Sequence, residues 1–95
     1  MKRLKIRGRK WFDRINGNTY HTSAIIIDGE LVHKTEMTYG YGEHYIQTAQ
    51  EWLMDNGLVS IKRHENGSFQ PLWQYCQDNG IEFEYSGEYG LKREL

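Results

Sequence analysis

Four histidines, one cysteine and a seven-residue tyrosine-glycine run are the places in this chain where chemistry would first be sought. His21, His33, His44 and His64 are scattered along it. No two of them have the i,i+4 spacing that puts a pair of zinc ligands on one helix face, and no second cysteine accompanies Cys76 to build a thiolate site. Cys76 shares a helical face with Phe69, Leu72 and Trp73, where a cysteine behaves as a small hydrophobe. A nucleophilic cysteine needs an exposed, electropositive setting and a histidine beside it. His64 is the nearest in sequence, and no family signature surrounds either residue. Phosphate-binding loops of the Walker type, a GxSxG elbow and HExxH are all missing. The reading is of a protein that is not an enzyme, with no cofactor and no bound metal; a small enzyme or metal site is the last alternative.

The run Tyr39-Gly40-Tyr41-Gly42-Glu43-His44-Tyr45 has a different character. It falls where a strand-forming half gives way to a helical half. Glycine there permits a sharp turn or the close approach of a partner. Tyr39, Tyr41 and Tyr45 either fill the edge of the core or offer amphipathic rings to a ligand. Tyr39, Gly40, Tyr41, Gly42, His44 and Tyr45 are therefore one set of candidate binding residues. Glu43 fits the first turn of a helix, where a carboxylate complements the macrodipole.

A second set lies near the N-terminus. Lys2, Arg3, Lys5, Arg7, Arg9, Lys10 and Arg14 face the single acid Asp13 within residues 1–14, leaving +6 there and −7 in the rest of a chain whose net charge is −1. Residues 1–10 read either as a basic arm that meets phosphates or an acidic partner, or as a solvated first strand neutralised by the chain's own acidic remainder. Trp11 and Phe12 are adjacent, so in a strand one of them must face outward. An outward ring beside Arg9, Lys10 and Arg14 makes a basic-aromatic patch, suited to nucleic acid or to a protein partner.

The elements that must position these residues follow from pattern. Ninety-five residues make a single domain spanning 1–95, with one modest core. Thirteen aromatic residues argue for a packed interior. The longest apolar run, Ala24–Ile27, is far too short to cross a membrane, and no signal-peptide pattern follows the basic start. With one cysteine and no disulfide, a cytoplasmic setting is expected. Asn16-Gly17 and Asp28-Gly29 are hairpin dipeptides that divide the first half into three antiparallel strands, over 10–15, 19–27 and 30–37. Pairing through the second turn would set His21 near Glu36 and His33 near Ala24. Apolar spacing at Tyr45, Ile46, Ala49, Trp52 and Leu53 predicts a helix over 43–56, closed by Gly57. A short strand over 58–61 follows, then a second helix capped by Ser68, with Pro71 in its first turn and Gly80 at its end. Ile81, Phe83 and Tyr85 alternate as the inward residues of a last strand. The tail, 87–95, reads as loose. Asp55-Asn56-Gly57-Leu58 and Asp78-Asn79-Gly80-Ile81 repeat one helix exit. The fold class is α+β: an antiparallel meander, then two helices alternating with short strands in a two-layer sandwich.

At residues 11–21, Trp-Phe-Asp-Arg-Ile-Asn-Gly-Asn-Thr-Tyr-His, and 39–49, Tyr-Gly-Tyr-Gly-Glu-His-Tyr-Ile-Gln-Thr-Ala, the chain resembles small uncharacterised proteins of bacteriophages and their hosts. In those an Asn-Thr-Tyr-His strand is similarly followed by a Tyr-Gly-Tyr-Gly turn into a helix. The resemblance brings no catalytic residue with it. It implies an origin in a viral or mobile-element genome and action by binding host machinery or nucleic acid. The expected partner is thus a host protein, held through the Tyr-Gly run and neighbouring aromatics. RNA or single-stranded DNA is the alternative, held by the basic arm and tyrosines. Pairing of two copies through an exposed edge, with the basic first strand the candidate, is a further possibility.

Overall fold

In the computed structural model, which describes residues 1–95, β1 (Arg3–Asp13) runs back on β2 (Asn18–Ile27), and β2 on β3 (Glu30–Lys34). β4 (Thr38–Tyr39) continues along the same side of β2 as β3. After α1 (His44–Asp55) and α2 (Leu72–Asp78), β5 (Glu82–Tyr89) returns to the far side of β1 and pairs with it in parallel. A 3-10 turn, Lys92–Glu94, closes the chain. The sheet order is β3-β2-β1-β5, with both helices on one face, so the protein is a two-layer α+β domain.

Local chemistry explains the turns. Asp28 and Gly29 both have positive φ (49° and 87°) and join β2 to β3 directly, as a type I′ turn requires. The Asp28 carboxylate also accepts the backbone N–H groups of Lys2 and Arg3, both at 2.8 Å, and so tethers the start of β1. The first hairpin is wider than its Asn-Gly pair suggests. Its strands end at Asp13 and Asn18, because the Asp13 carboxylate takes N–H groups from Ile15, Asn16 and the Asn16 side chain and so organises a four-residue loop.

Several expectations change. Residues 1–10 are not an arm: Arg3–Lys10 belong to β1, which has neighbours on both sides and buries Leu4 and Ile6 completely. β1 therefore offers no edge to a second copy; the free edges are those of β3, β4 and β5. Gly87–Tyr89 complete β5 where a loose tail was expected. Residues 58–61 form no strand, yet Val59 and Ile61 are buried in the core. α2 starts at Leu72, with Pro71 rather than Ser68 as its cap. The later start leaves Phe69 outside the helix and turns Trp73 outward, 56% exposed.

The core lies between the helices and β1, β2 and β5. Leu4, Ile6 and Ile25 meet Tyr45, Ala49, Leu53, Leu72 and Cys76 there. The repeated helix exit is two copies of the same cap. Leu58 N–H reaches Leu53 O at 2.9 Å, and Ile81 N–H reaches Cys76 O at 2.8 Å. Gly57 and Gly80 supply the positive φ that this closure needs.

Candidate functional site

The Tyr-Gly run is pinned to the fold by a histidine. His21, on β2, is fully buried and points toward the helices. Its Nδ1 lies 3.1 Å from Gly40 O and its Nε2 lies 2.7 Å from Thr48 Oγ1. The carbonyl can only accept, so Nδ1 carries the proton and Nε2 accepts from the Thr48 hydroxyl. One neutral imidazole thus joins strand, run and helix α1. Burial lowers the His21 pKa from its ordinary value, and neighbouring His44 lowers it further against the opposing effect of the Gly40 carbonyl. The His44 ring sits 5.3 Å from that of His21 and covers Gly40, where a Cβ would come within 2.6 Å of His44 Cγ. The cross-strand contact of His21 with Glu36 does not form. A bulge between Ile25 and Ile26 shifts the β2–β3 register so that His33 faces Ile25, and a further offset between β3 and β4 sets His21 opposite Thr38.

The three tyrosines of the run separate. Tyr45 is 2% exposed and fills the core, whereas Tyr39 and Tyr41 are 57% and 75% exposed. Tyr45 rests on a saddle made by Gly8 of β1 and Gly87 of β5, which are register partners. Gly40 is buried, while Gly42 lends its carbonyl to Lys10 Nζ at 3.4 Å. Lys10 lies on the helix-bearing face, 4.6 Å above the Tyr89 ring. Alternation places Arg9 on the opposite face, and Arg14 projects from the first hairpin. The basic-aromatic set around Trp11 is therefore divided between two faces and a loop.

What the fold does bring together lies on the sheet face that no helix covers. Trp11, Tyr20 and Tyr39, on three adjacent strands, form a row. Trp11 and Tyr20 stack with ring centroids 5.9 Å apart, and Tyr20 meets Tyr39 edge-on at 5.8 Å. The Lys92 ammonium sits 5.3 Å from the Trp11 ring. Tyr20 was not singled out from the sequence; its period-2 partnership with Trp11 across the first turn was the available signal. Beside the row, β1 presents Arg3, Lys5, Arg7 and Arg9. The parallel register sets Glu82, Glu84, Ser86 and Glu88 opposite them in turn. Arg9 reaches Glu88 at 3.0 Å, Arg3 reaches Glu82 at 3.8 Å and Lys5 reaches Glu84 at 4.0 Å. The basic stripe is largely answered by the chain's own acids.

On the other face a cleft of about 360 Å³ opens between α1, the start of α2 and β5. Ile46, Phe69, Trp73, Phe83 and Tyr85 line it, with Glu43 the one charged residue in its wall. It escaped sequence reading because Trp73 and Tyr85 were taken as core, yet both are more than half exposed.

Cys76 is fully buried, and burial pushes its thiol up to about 11, so it is a protonated hydrophobe at neutral pH. No three of the histidine, cysteine and acidic side chains converge on a point where a metal ion would sit. No helix is long and apolar enough to cross a membrane. Neither a family model, nor a curated protein, nor a solved structure matches the chain.

Proposed function

We propose that the protein is a non-enzymatic binding module whose partner is another protein, met by the uncovered sheet face. The observation that carries this reading is the row Trp11–Tyr20–Tyr39, set across three strands on the face without helices. Rigid aromatic anchors beside arginine are the usual hot spots of protein interfaces. The resemblance to phage-type proteins makes a host protein the first candidate for the partner.

Charge favours a protein partner over the alternative. A sheet bearing aromatic rings also suits single-stranded RNA or DNA, by base stacking. Such surfaces carry a basic excess, whereas this chain has a pI near 6.4 and the β1 cations are matched by β5 acids. Arg7, opposite Ser86, is the exception within the stripe.

The test is affinity capture from nuclease-treated bacterial lysate with wild type, Tyr39→Ala and Trp11→Ala/Tyr39→Ala. The expected result is a protein retained by wild type and released by the variants, with a loss of at least about 2 kcal/mol at a hot-spot ring. An identical partner list from all three, with the fold intact by circular dichroism, removes the row as the binding surface. No retained protein, together with binding of an added short RNA or single-stranded DNA that falls steeply as salt rises, gives the role to nucleic acid instead.

A further inference from the structure

We propose that the outer edge of β5 takes up an extended segment of a protein partner in which lysine or arginine alternates with apolar residues. This surface is separate from the aromatic row, which lies on β1, β2 and β4.

The backbone names the kind of occupant. Glu82 N–H donates to Lys2 O at 2.9 Å and Gly90 N–H donates to Lys10 O at 2.8 Å, so Glu84, Ser86 and Glu88 between them also turn their peptide groups toward β1. Those of Phe83, Tyr85, Gly87 and Tyr89 turn the other way, where no strand lies. Such a row of donors and acceptors is a template for one more strand. The usual protections are missing. β5 is eight residues long, holds no proline and pairs with β1 in one unbroken register. By contrast, β3 has five residues beside a bulge and β4 has two.

The side chains select the sequence. Glu82, Glu84 and Glu88 share the open face of β5. Glu82 and Glu84 lie 3.8 and 4.0 Å from their β1 partners, beyond hydrogen-bond length, and are 77% and 68% exposed. Their oxygens are therefore free to take donors from a strand on the outer side. The same acids disfavour a second copy. Two β5 strands paired antiparallel about Tyr85 would set Glu82 against Glu88 twice, and like charges directly opposite destabilise a sheet. Phe83, Tyr85 and Tyr89 alternate with the acids and suit apolar neighbours. β1 itself shows the pattern that β5 accepts: Arg3, Leu4, Lys5 and Ile6 stand against Glu82, Phe83, Glu84 and Tyr85.

The experiment adds the capped peptide Arg-Val-Lys-Val-Arg-Val-Lys to the protein and follows calorimetry and amide hydrogen exchange. Binding is expected with Kd below about 1 mM. It should slow exchange at Phe83, Tyr85 and Gly87, whose amides are open in the free protein, whereas Glu84, Ser86 and Glu88 are protected from the start. A peptide of the same composition with its valines in one block should bind at least about tenfold more weakly. N-methylation of the valines or of the cations, whichever set turns its N–H groups to β5, should abolish binding, and N-methylation of the other set should not. Glu82→Gln/Glu84→Gln should weaken binding at least about threefold with the fold intact by circular dichroism. Unchanged exchange at Phe83, Tyr85 and Gly87 with about 1 mM peptide would overturn the proposal, as would equal effects of the two N-methylations or equal binding of the block peptide. Protection of the same amides by raised protein concentration alone would give the edge to a second copy instead.

Discussion

Gly8 and Gly87 face each other across the parallel β1–β5 pair, and the Tyr45 ring occupies the space that both leave empty. A Cβ on Gly8 would lie 2.6 Å from Tyr45 Cδ2, and one on Gly87 would lie 2.8 Å from Tyr45 Cε1. Neither glycine is needed here for its backbone freedom, since neither has positive φ. They are needed because α1 docks through a large ring at the centre of the sheet. Gly8→Ala is expected to destabilise the fold by about 1–3 kcal/mol, the usual cost of overpacking. Tyr45→Ala should cost about 3–5 kcal/mol through the cavity it leaves. The double variant should cost less than the sum, because without the ring the methyl has room. Urea unfolding of the four proteins measures this, and simple additivity would show that the ring and the glycine do not meet.

His21 makes stability depend on pH on the acid side. Its folded pKa lies below its unfolded value of about 6.5. Between those two values the unfolded chain binds more protons than the folded one, so stability rises with pH in that window. The contribution is complete above about pH 6.5 and is lost as pH falls toward the folded pKa. A charged His21 would be a buried imidazolium beside His44, with only the Gly40 carbonyl and the Thr48 hydroxyl to answer it. Unfolding free energies measured from pH 7.5 to 4.5 should decline for wild type more steeply than for His21→Gln. Parallel curves would assign the acid dependence to other groups.

Cys76 should be silent in the native state. It is fully buried and its thiol is pushed up to about 11, and thiols react as thiolates. An aromatic disulfide reagent at pH 8 is expected to modify it only as fast as the protein opens, and at once in denaturant. Rapid labelling without denaturant would mean that α2 detaches far more readily than its packing implies.

The hairpins, α1 and both glycine-capped helix exits were legible because each is written within a few consecutive residues. The turn at Asp28-Gly29 has the dipeptide that a type I′ geometry demands. β2 concealed its faces for a local reason. His21 to Ile25 are all buried, because the short residues Thr22 and Ala24 lie on the open face between longer neighbours such as Arg9 and Arg7. The pairing of β1 with β5 was not legible, since it joins the two ends of the chain. Its trace was present nonetheless: Glu82, Glu84 and Glu88 repeat with period 2, as do Arg3, Lys5 and Arg9. The aromatic row joins β1 and β2, which the first hairpin sets side by side, to a second edge segment, β4, only two residues long. The cleft depends on where α2 starts, a matter of one turn that Pro71 decides.

The acids of β5 have two consequences that a single variant separates. Each pair with β1 is largely exposed, so each is worth no more than about 1 kcal/mol. Glu82→Gln/Glu84→Gln/Glu88→Gln should therefore fold, with only a modest loss of stability. It also moves the net charge from −1 to +2 by removing three of the thirteen acids. The uncovered face would then present Arg3, Lys5 and Arg7 without counter-charges, and Arg9 with only Glu94 at 4.0 Å, beside Trp11, Tyr20 and Tyr39. That is the equipment of a single-strand binding surface. The variant is expected to shift a short single-stranded DNA in a gel at low salt and to release it steeply as salt rises, while wild type does not shift it. If wild type shifts the DNA equally well, the β5 acids do not mask the basic stripe, and charge no longer argues for a protein partner over a nucleic acid.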